Sequence, residues 1–500
     1  MDAGAGLYTV AQVRGIEQAA LQSTPPGTLM RRAGAAAAAM ASRLLPADGP
    51  RRVLVLAGPG NNGGDAMEAA ALLAYEGCQV TIHFTGKADA LSDDASAALR
   101  RAEASPAQFA QADAGAPWDL VVDGLFGIGL ARPLVGDIAA LVGMVNGLRC
   151  PVLALDVPSG LNADTGAIVG PDGIAVRASH TITFIAGKPG LHTADGRDFA
   201  GSVELAALDV DPALYPPPAI RLTDTRLFAS GLAPRRENSH KGSYGNVAIL
   251  GGAHGMAGAV ILAARSAALC GAGKVFAGFI DVPPAYDAPH PEIMCRRAVD
   301  LVLQDAALVA GPGLGDGAPA KLLLAQALSA AAPLVLDADA LNMVSADISL
   351  RELLAARTGP TLMTPHPLEA ARLLSISAAD VQADRVQAAR RIAAEFNVMV
   401  VLKGAGSVMA RPDGLAVINT TGSPALATAG TGDVLAGLCG ALLAQHWSPW
   451  EALLGAVWLH GAAADLLVEQ GVGPVGLVAS ELPAAIRSCL NRQIRAQSAG

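Results

Sequence analysis

The sequence predicts an α/β protein of two domains, and three observations carry that prediction. Short apolar runs end repeatedly in glycine-rich turns and lead into helix-like segments, the pattern of doubly wound parallel sheets. The alternation breaks at Leu214-Tyr215-Pro216-Pro217-Pro218, which can continue neither strand nor helix, and polar Arg235-Arg236-Glu237-Asn238-Ser239 follows. The 500 residues also exceed what one hydrophobic core usually organises. The expected domains are 1–217 and 225–500.

In the first half, Val53-Leu54-Val55-Leu56 runs into Gly58-Pro59-Gly60 and then a helical stretch near Met67 to Tyr75. The strand Val80-Thr81-Ile82-His83-Phe84 follows, with a polar helix near Ser92 to Ala104. Leu120-Val121-Val122-Asp123, Val152-Leu153-Ala154-Leu155-Asp156 and Thr181-Ile182-Thr183-Phe184 continue the alternation. It restarts at Val247-Ala248-Ile249-Leu250 and runs through Leu334-Val335-Leu336-Asp337 and Val400-Val401-Leu402-Lys403. Helices near 450–469 and 478–490 close the chain. In such sheets functional residues collect at the carboxyl ends of the strands.

Composition narrows the function. Hydrophobic residues make up 52% and charged ones 16%, which describes a compact α/β protein and not a disordered one. A net charge of −9 without a long Lys/Arg run argues against nucleic-acid or anionic-membrane partners. An anionic substrate would then be held by local amides. The six cysteines form no CxxC pair, so reduced thiols in a cytoplasmic protein are expected, and zinc is not. The N-terminus lacks the basic and apolar blocks of a signal peptide, and the run Ala35 to Ala39 is too short to span a bilayer.

Gly58-Pro59-Gly60-Asn61-Asn62-Gly63-Gly64-Asp65 follows a strand and opens a helix. It contains GxGxxG, but the next strand ends in His83-Phe84-Thr85-Gly86-Lys87, with no acid to hold a ribose diol. A plain glycine turn with an aspartate cap is the bland alternative. Asp123 and Asp156 end two further strands. Together such turns would bring Asn62, Asp123 and Ser159 close, an oxygen set of low charge that suits a monovalent or hard cation.

In the second half, Gly430-Thr431-Gly432-Asp433 lies between apolar segments. Its glycines let backbone N–H groups face an anion at a helix start, with an aspartate beside them to take a proton from a hydroxyl. A tight turn with a capping aspartate is the competing explanation. His366 is fixed by prolines on both sides, which suits either a nucleotide contact or a surface loop. Lys403 ends an apolar strand before a glycine-rich turn, as a phosphate contact or a snorkelling lysine would. Asp337 and Asp339, two apart, would share one face of a continued strand and position magnesium or water; a strand-end turn explains them equally well.

These strings carry a resemblance. GPGNNGGD, DGLFGIG, LDVPSGLNADTG and Lys188-Pro189-Gly190 resemble the NAD(P)H-hydrate epimerase domain over residues 1–215. That resemblance implies a Rossmann-like domain that interconverts the R and S forms of hydrated NADH and NADPH. It implies hydrate binding by Asn61, Asn62, Gly63, Gly64 and Asp65 and by Gly127, Ile128, Gly129, Leu130, Ala131, Arg132 and Pro133. Asn62, Asp123 and Ser159 are implied as potassium ligands, and Asp156 as a substrate contact that serves as acid/base. The glycine that commonly follows the family's aspartate is Ala66 here. Alanine suits a helix, whereas a left-handed φ at 66 would alter the loop.

Residues 225–495 resemble the ADP-dependent NAD(P)H-hydrate dehydratase, a ribokinase-like fold. The matching strings are His240-Lys241-Gly242-Ser243-Tyr244-Gly245, Gly311-Pro312-Gly313-Leu314-Gly315, Leu336-Asp337-Ala338-Asp339-Ala340-Leu341, Thr364-Pro365-His366-Pro367, Lys403-Gly404-Ala405-Gly406-Ser407 and Ala429-Gly430-Thr431-Gly432-Asp433. The resemblance implies hydrate binding by Ala259, Gly313, His366 and Asp433. It implies adenine-nucleotide binding by Lys403, Gly404, Ala405, Gly406, Ser407 and Gly432. Asp433 would take the proton of the ring hydroxyl, which attacks the terminal phosphoryl of ADP with Mg²⁺ assisting; AMP and phosphate leave. The combined expectation is a tandem repair enzyme, a homo-oligomer in the cytoplasm, acting on NADHX or NADPHX. The alternative is a ribokinase-like small-molecule kinase with a non-catalytic nucleotide-binding N-terminal module.

Overall fold

The computed structural model describes residues 6–498, and the chain divides into two compact units, Met1–Arg221 and Leu222–Gly500. In the first, the strands are β1 (Arg52–Ala57), β2 (Gln79–Phe84), β3 (Gln108–Phe109), β4 (Leu120–Gly124), β5 (Val152–Leu155), β6 (His180–Phe184) and β7 (Ser202–Ala206). They pair in parallel in the order β3-β2-β1-β4-β5-β6-β7. Val53 to Leu56 are wholly buried because helices cover both faces, which is why β1 reads as an uninterrupted apolar run. The order reverses between β1 and β4, and a crevice opens at their carboxyl ends.

The helix after β1 spans Asn61–Tyr75, beginning well before the expected Met67. The sequence suggests a loop because glycine disfavours helix, but packing overrides propensity here. A Cβ on Gly63 would lie 2.0 Å from the Gly58 carbonyl oxygen, and one on Gly64 would lie 2.6 Å from the Met30 methyl. Ala66 is buried inside this helix and is not among the residues at positive φ, so alanine alters no left-handed turn. Gly124 on β4 makes room for it, since a Cβ there would come within 2.4 Å of the Ala66 Cβ.

Gly6–Leu7 pairs antiparallel with Ile220–Leu222, Leu7 opposite Ile220, and the Tyr8 hydroxyl donates to the Pro216 carbonyl at 3.2 Å. Residues 220 and 221, beyond the proline run, thus pair with the amino-terminal strand of the first unit. We propose that each unit folds by itself. A piece ending at 217 should then melt about 2–4 °C below one ending at 221, the effect of roughly 1 kcal/mol of lost pairing. Identical thermal melting of the two pieces would contradict this.

In the second unit the strands are β8 (Asn246–Gly251), β9 (Lys274–Phe279), β10 (Met294–Arg297), β11 (Ala307–Ala310), β12 (Leu334–Leu336), β13 (Thr361–Met363), β14 (Met399–Leu402), β15 (Val408–Ala410) and β16 (Ala416–Ile418). Their order is β16-β15-β14-β13-β12-β11-β8-β9-β10. All pairs are parallel except the meander β14-β15-β16. Helices Ala257–Leu269, Thr431–Ala444 and Pro449–Glu469 pack on this sheet in one continuous core. Pro449–Glu469 is long and apolar enough to cross a bilayer, yet Leu453, Leu454, Val457 and Leu459 are buried in that core. It is apolar all round because protein surrounds it.

Candidate active sites

The crevice beside β1 and β4 holds a cavity of about 470 Å³. Its walls come from helix Val10–Leu21 (Arg14, Glu17), the start of Asn61–Tyr75 (Asn61, Asn62, Asp65), the turn Leu125 to Leu130, and the ends of β5 and β6 (Asp156, Phe184, Ile185, Lys188). The expected residues Asn61, Asn62, Asp65, Gly127, Ile128, Gly129, Leu130 and Asp156 therefore converge on it. Gly63, Gly64, Ala131, Arg132 and Pro133 do not line it. Another cavity in this unit, about 670 Å³ around Trp118 and Cys150, is larger but lies at the opposite, amino end of the strands.

Asp156 is the chemical centre of the first cavity. It sits just past β5 at φ 66, in the left-handed region that aspartate tolerates better than most residues. Lys188, with no exposed side-chain surface, forms a close ion pair with Asp156. Its other protons go to Thr183 Oγ1 (2.9 Å) and the Phe184 carbonyl (2.7 Å). Burial pushes Asp65 well above the usual carboxylate range, and Asp156, Glu17 and Glu68 add repulsion. Burial and Asp156 also raise Glu17, against the pull of Lys188 and Arg14.

Asp123, fully buried at the end of β4, accepts from the Ser159 amide (2.8 Å), the Ser159 hydroxyl (2.7 Å) and the Leu125 amide (3.2 Å). Burial outweighs these bonds and raises its pKa to about 6. Among the described residues, neither side-chain polar atom of buried Asn62 has a hydrogen-bond partner. Such orphaned atoms normally cost free energy, so they mark a place for a ligand.

In the second unit, neighbouring strands β12, β13 and β14 deliver Asp337, His366 and Lys403 to a cavity of about 400 Å³, which Gly404 and Gly430 to Asp433 complete. Asp337 accepts from Lys403 Nζ (2.8 Å) and Thr364 Oγ1 (2.7 Å). Asp339 does not share a strand face with it: the chain turns at Ala338 (φ 47), and Asp339 instead accepts from the Gly315 amide (2.8 Å). Burial would lower Lys403, but Asp337, Glu369 and Asp433 outweigh it and hold the ammonium above its ordinary value.

Helix Thr431–Ala444 begins at Gly430, whose φ of 88 no other residue type adopts as readily. No side chain caps this helix, so Asp433, in its first turn, is not the cap that the sequence left open. Burial first, then Asp337, raises Asp433 to about 6, opposed by Lys403. Lys403 Nζ lies 3.3 Å from where a Gly432 Cβ would sit, so the ammonium and the helix start face the same space. The arrangement holds an anion beside a carboxylate that is ionised at neutral pH and still basic.

His366 caps helix Pro367–Leu374: its Nδ1 accepts from the Leu368 amide at 3.1 Å, which leaves the proton on Nε2. Burial and Lys403 lower its pKa, so the ring is neutral. Glu369 is raised to about 7 by burial. Ala405, Gly406, Ser407, Ala259 and Gly313 lie outside this cavity lining. Ser407 ties its own turn to Gly404, and Ala259 and Gly313 adjoin each other beside β8 and β11, where the strand order reverses.

Sequence reasoning gave no role to Lys188, Glu369 or Glu17. Lys188 had a signal, because it stands after a strand beside glycine as Lys403 does. Glu17 had none, since an acid on a surface-like helix shows nothing of what the fold places opposite it.

Two family models match the chain: the YjeF-related protein N-terminus over residues 26–190 and NAD(P)H-hydrate dehydratase over 247–486. The bifunctional NAD(P)H-hydrate repair enzyme of Coxiella burnetii is 37% identical, over 97% of this chain and 99% of its own length. That of Escherichia coli is 36% identical over 93% and 90%. Among solved structures, the ADP/ATP-dependent NAD(P)H-hydrate dehydratase of Bacillus subtilis, co-crystallised with ATP/Mg²⁺, is 33% identical with a TM-score of 0.48. It covers 54% of this chain and 97% of that one.

Proposed function

The chain belongs to the family of bifunctional NAD(P)H-hydrate repair enzymes, and from that premise we propose which residues perform its two reactions. Epimerisation takes place in the cavity around Asp156. Dehydration of the S-hydrate, with ADP converted to AMP and phosphate, takes place in the cavity around Asp433. The observation that carries the second assignment is Asp433 in an uncapped helix start, facing Lys403 across Gly432.

Asp433 takes the proton of the ring hydroxyl, and the freed oxygen attacks the terminal phosphoryl group of ADP. The amides of Gly430 to Gly432 and the Lys403 ammonium hold the phosphoryl oxygens as charge develops. Asp337, anchored by Thr364, keeps Lys403 in place. His366, neutral, presents an Nε2–H as donor. AMP departs, and loss of phosphate with a ring proton restores the dihydropyridine. No cluster of three His, Cys, Asp or Glu side chains poised for a metal occurs among the described residues. Magnesium would be carried on the nucleotide phosphates, where it would neutralise their charge. Hydrated NADH and ADP should give AMP, phosphate and NADH in equal amounts; a stable phosphorylated hydrate without NADH would reject the assignment.

Potassium fits Asn62, Asp123 and Ser159, which offer one carboxylate among neutral oxygens, with the Asn62 amide unpartnered among the described residues. Bound there, it would neutralise Asp123 and order the turns that face the hydrate. Potassium, against a bulky organic cation at equal ionic strength, should then raise the melting temperature of the first unit, because a ligand of the folded state stabilises by mass action. Asp123→Ala should abolish that response. Superimposable melting curves for the parent protein in the two salts would reject the site.

A further inference from the structure

We propose that Glu17 is the proton donor of the epimerase reaction, working with Asp156 as acceptor; the inference rests on placing epimerisation in the first cavity. Three carboxyl groups (Glu17, Asp65, Asp156) and the Lys188 ammonium line that cavity, with Arg14 and Asp94 the other charged groups at its walls. An ammonium has three protons, and those of Lys188 go to Asp156, Thr183 and Phe184. None remains for Glu17 or Asp65, and neither makes a hydrogen bond or ion pair among the described residues. Four carboxyl groups face two cations there, one of them spent on Asp156, so the group favours a retained proton, and it resides away from the lysine-paired Asp156.

A donor must release that proton as well as hold it. The charges around Asp65 are Asp156, Glu17 and Glu68, all negative, so Asp65 keeps its proton. Glu17 also feels Lys188 and Arg14, which permit release. The hydrate bears its hydroxyl on a ring carbon bonded to the ring nitrogen. Glu17 gives its proton to that hydroxyl, the C–O bond breaks as water leaves, and the nitrogen lone pair forms C=N. Water then adds to the other face, the C=N electrons return to nitrogen, and Asp156 takes the proton released. The hydrate's composition is unchanged, and the reverse inversion uses the two carboxyls in exchanged roles.

The test follows inversion of R-hydrate by the full-length protein without ADP, separating epimers chromatographically from pH 5 to 9. The parent rate should fall on the alkaline side as the shared proton is lost. Glu17→Gln should be about 10²-fold slower and lack that limb. Glu17→Asp should keep it. Thermal melting of the first unit, unchanged from the parent protein, reports that the variants are folded. If Glu17→Gln keeps rate and limb while Asp156→Asn is slow, the cavity is the epimerase centre but Glu17 is not its donor. If both variants keep the parent rate, the cavity assignment itself fails and the proposal with it.

Discussion

Replacing Asp433 by Asn is expected to slow ADP-driven recovery of NADH by about 10²–10⁴ while leaving ADP binding nearly unchanged, the cost of losing a general base. Asn keeps the shape, and Asp433 caps nothing, so the helix start should persist. In the parent enzyme the rate should rise with pH through about 6, as the carboxyl raised by burial and Asp337 ionises. Stability should move the other way. A carboxyl whose folded pKa lies above its unfolded value favours the folded state below the unfolded pKa, near 4, and that contribution is lost as pH rises through the folded value. Asp433→Asn removes the cost of ionising a buried acid, so the second unit should melt higher than the parent above pH 6 and no higher at pH 4. Turnover within a few-fold of the parent, or a lower melting temperature at pH 7, would show that Asp433 is structural.

Lys188→Met should destabilise the first unit by about 3–5 kcal/mol and abolish epimerisation, because it leaves the Asp156 carboxylate buried without its partner. For a unit of this size that is a fall of roughly 6–20 °C in melting temperature. After the loss of Lys188, only Thr183 and the Phe184 amide, among the described residues, would still donate to Asp156. Asp156→Asn added to Lys188→Met should recover much of the stability and none of the activity. A double variant that melts with the single one would mean that Lys188 acts through packing, not charge.

The strands were legible because parallel strands buried on both faces leave uninterrupted apolar runs, as Val53 to Leu56 and Leu334 to Leu336 do. The turns after them were legible for the same reason that they work: backbone must approach an anion or a neighbouring strand, and glycine permits it. The start of helix Asn61–Tyr75 was not, because Gly63 and Gly64 answer to Gly58 and Met30, contacts that no local pattern records. Of the two readings open for Asp337 and Asp339, the strand-end turn holds, because one left-handed residue, Ala338, ends the strand between them. Asp156 and Lys403 stood out by their place at the ends of apolar strands, and Asp433 by the glycines before it. Glu17 became visible only when the fold set it in one cavity with Lys188.

One chain repairs both epimers. The direct measurement is NADH absorbance regained from mixed R,S-hydrate with excess ADP and Mg²⁺, on a timescale shorter than uncatalysed inversion. The assignments predict complete recovery by the parent protein. They predict recovery that halts at the S fraction for Asp156→Asn, and none for Asp433→Asn. Recovery by the parent protein that itself halts at the S fraction would contradict the claim.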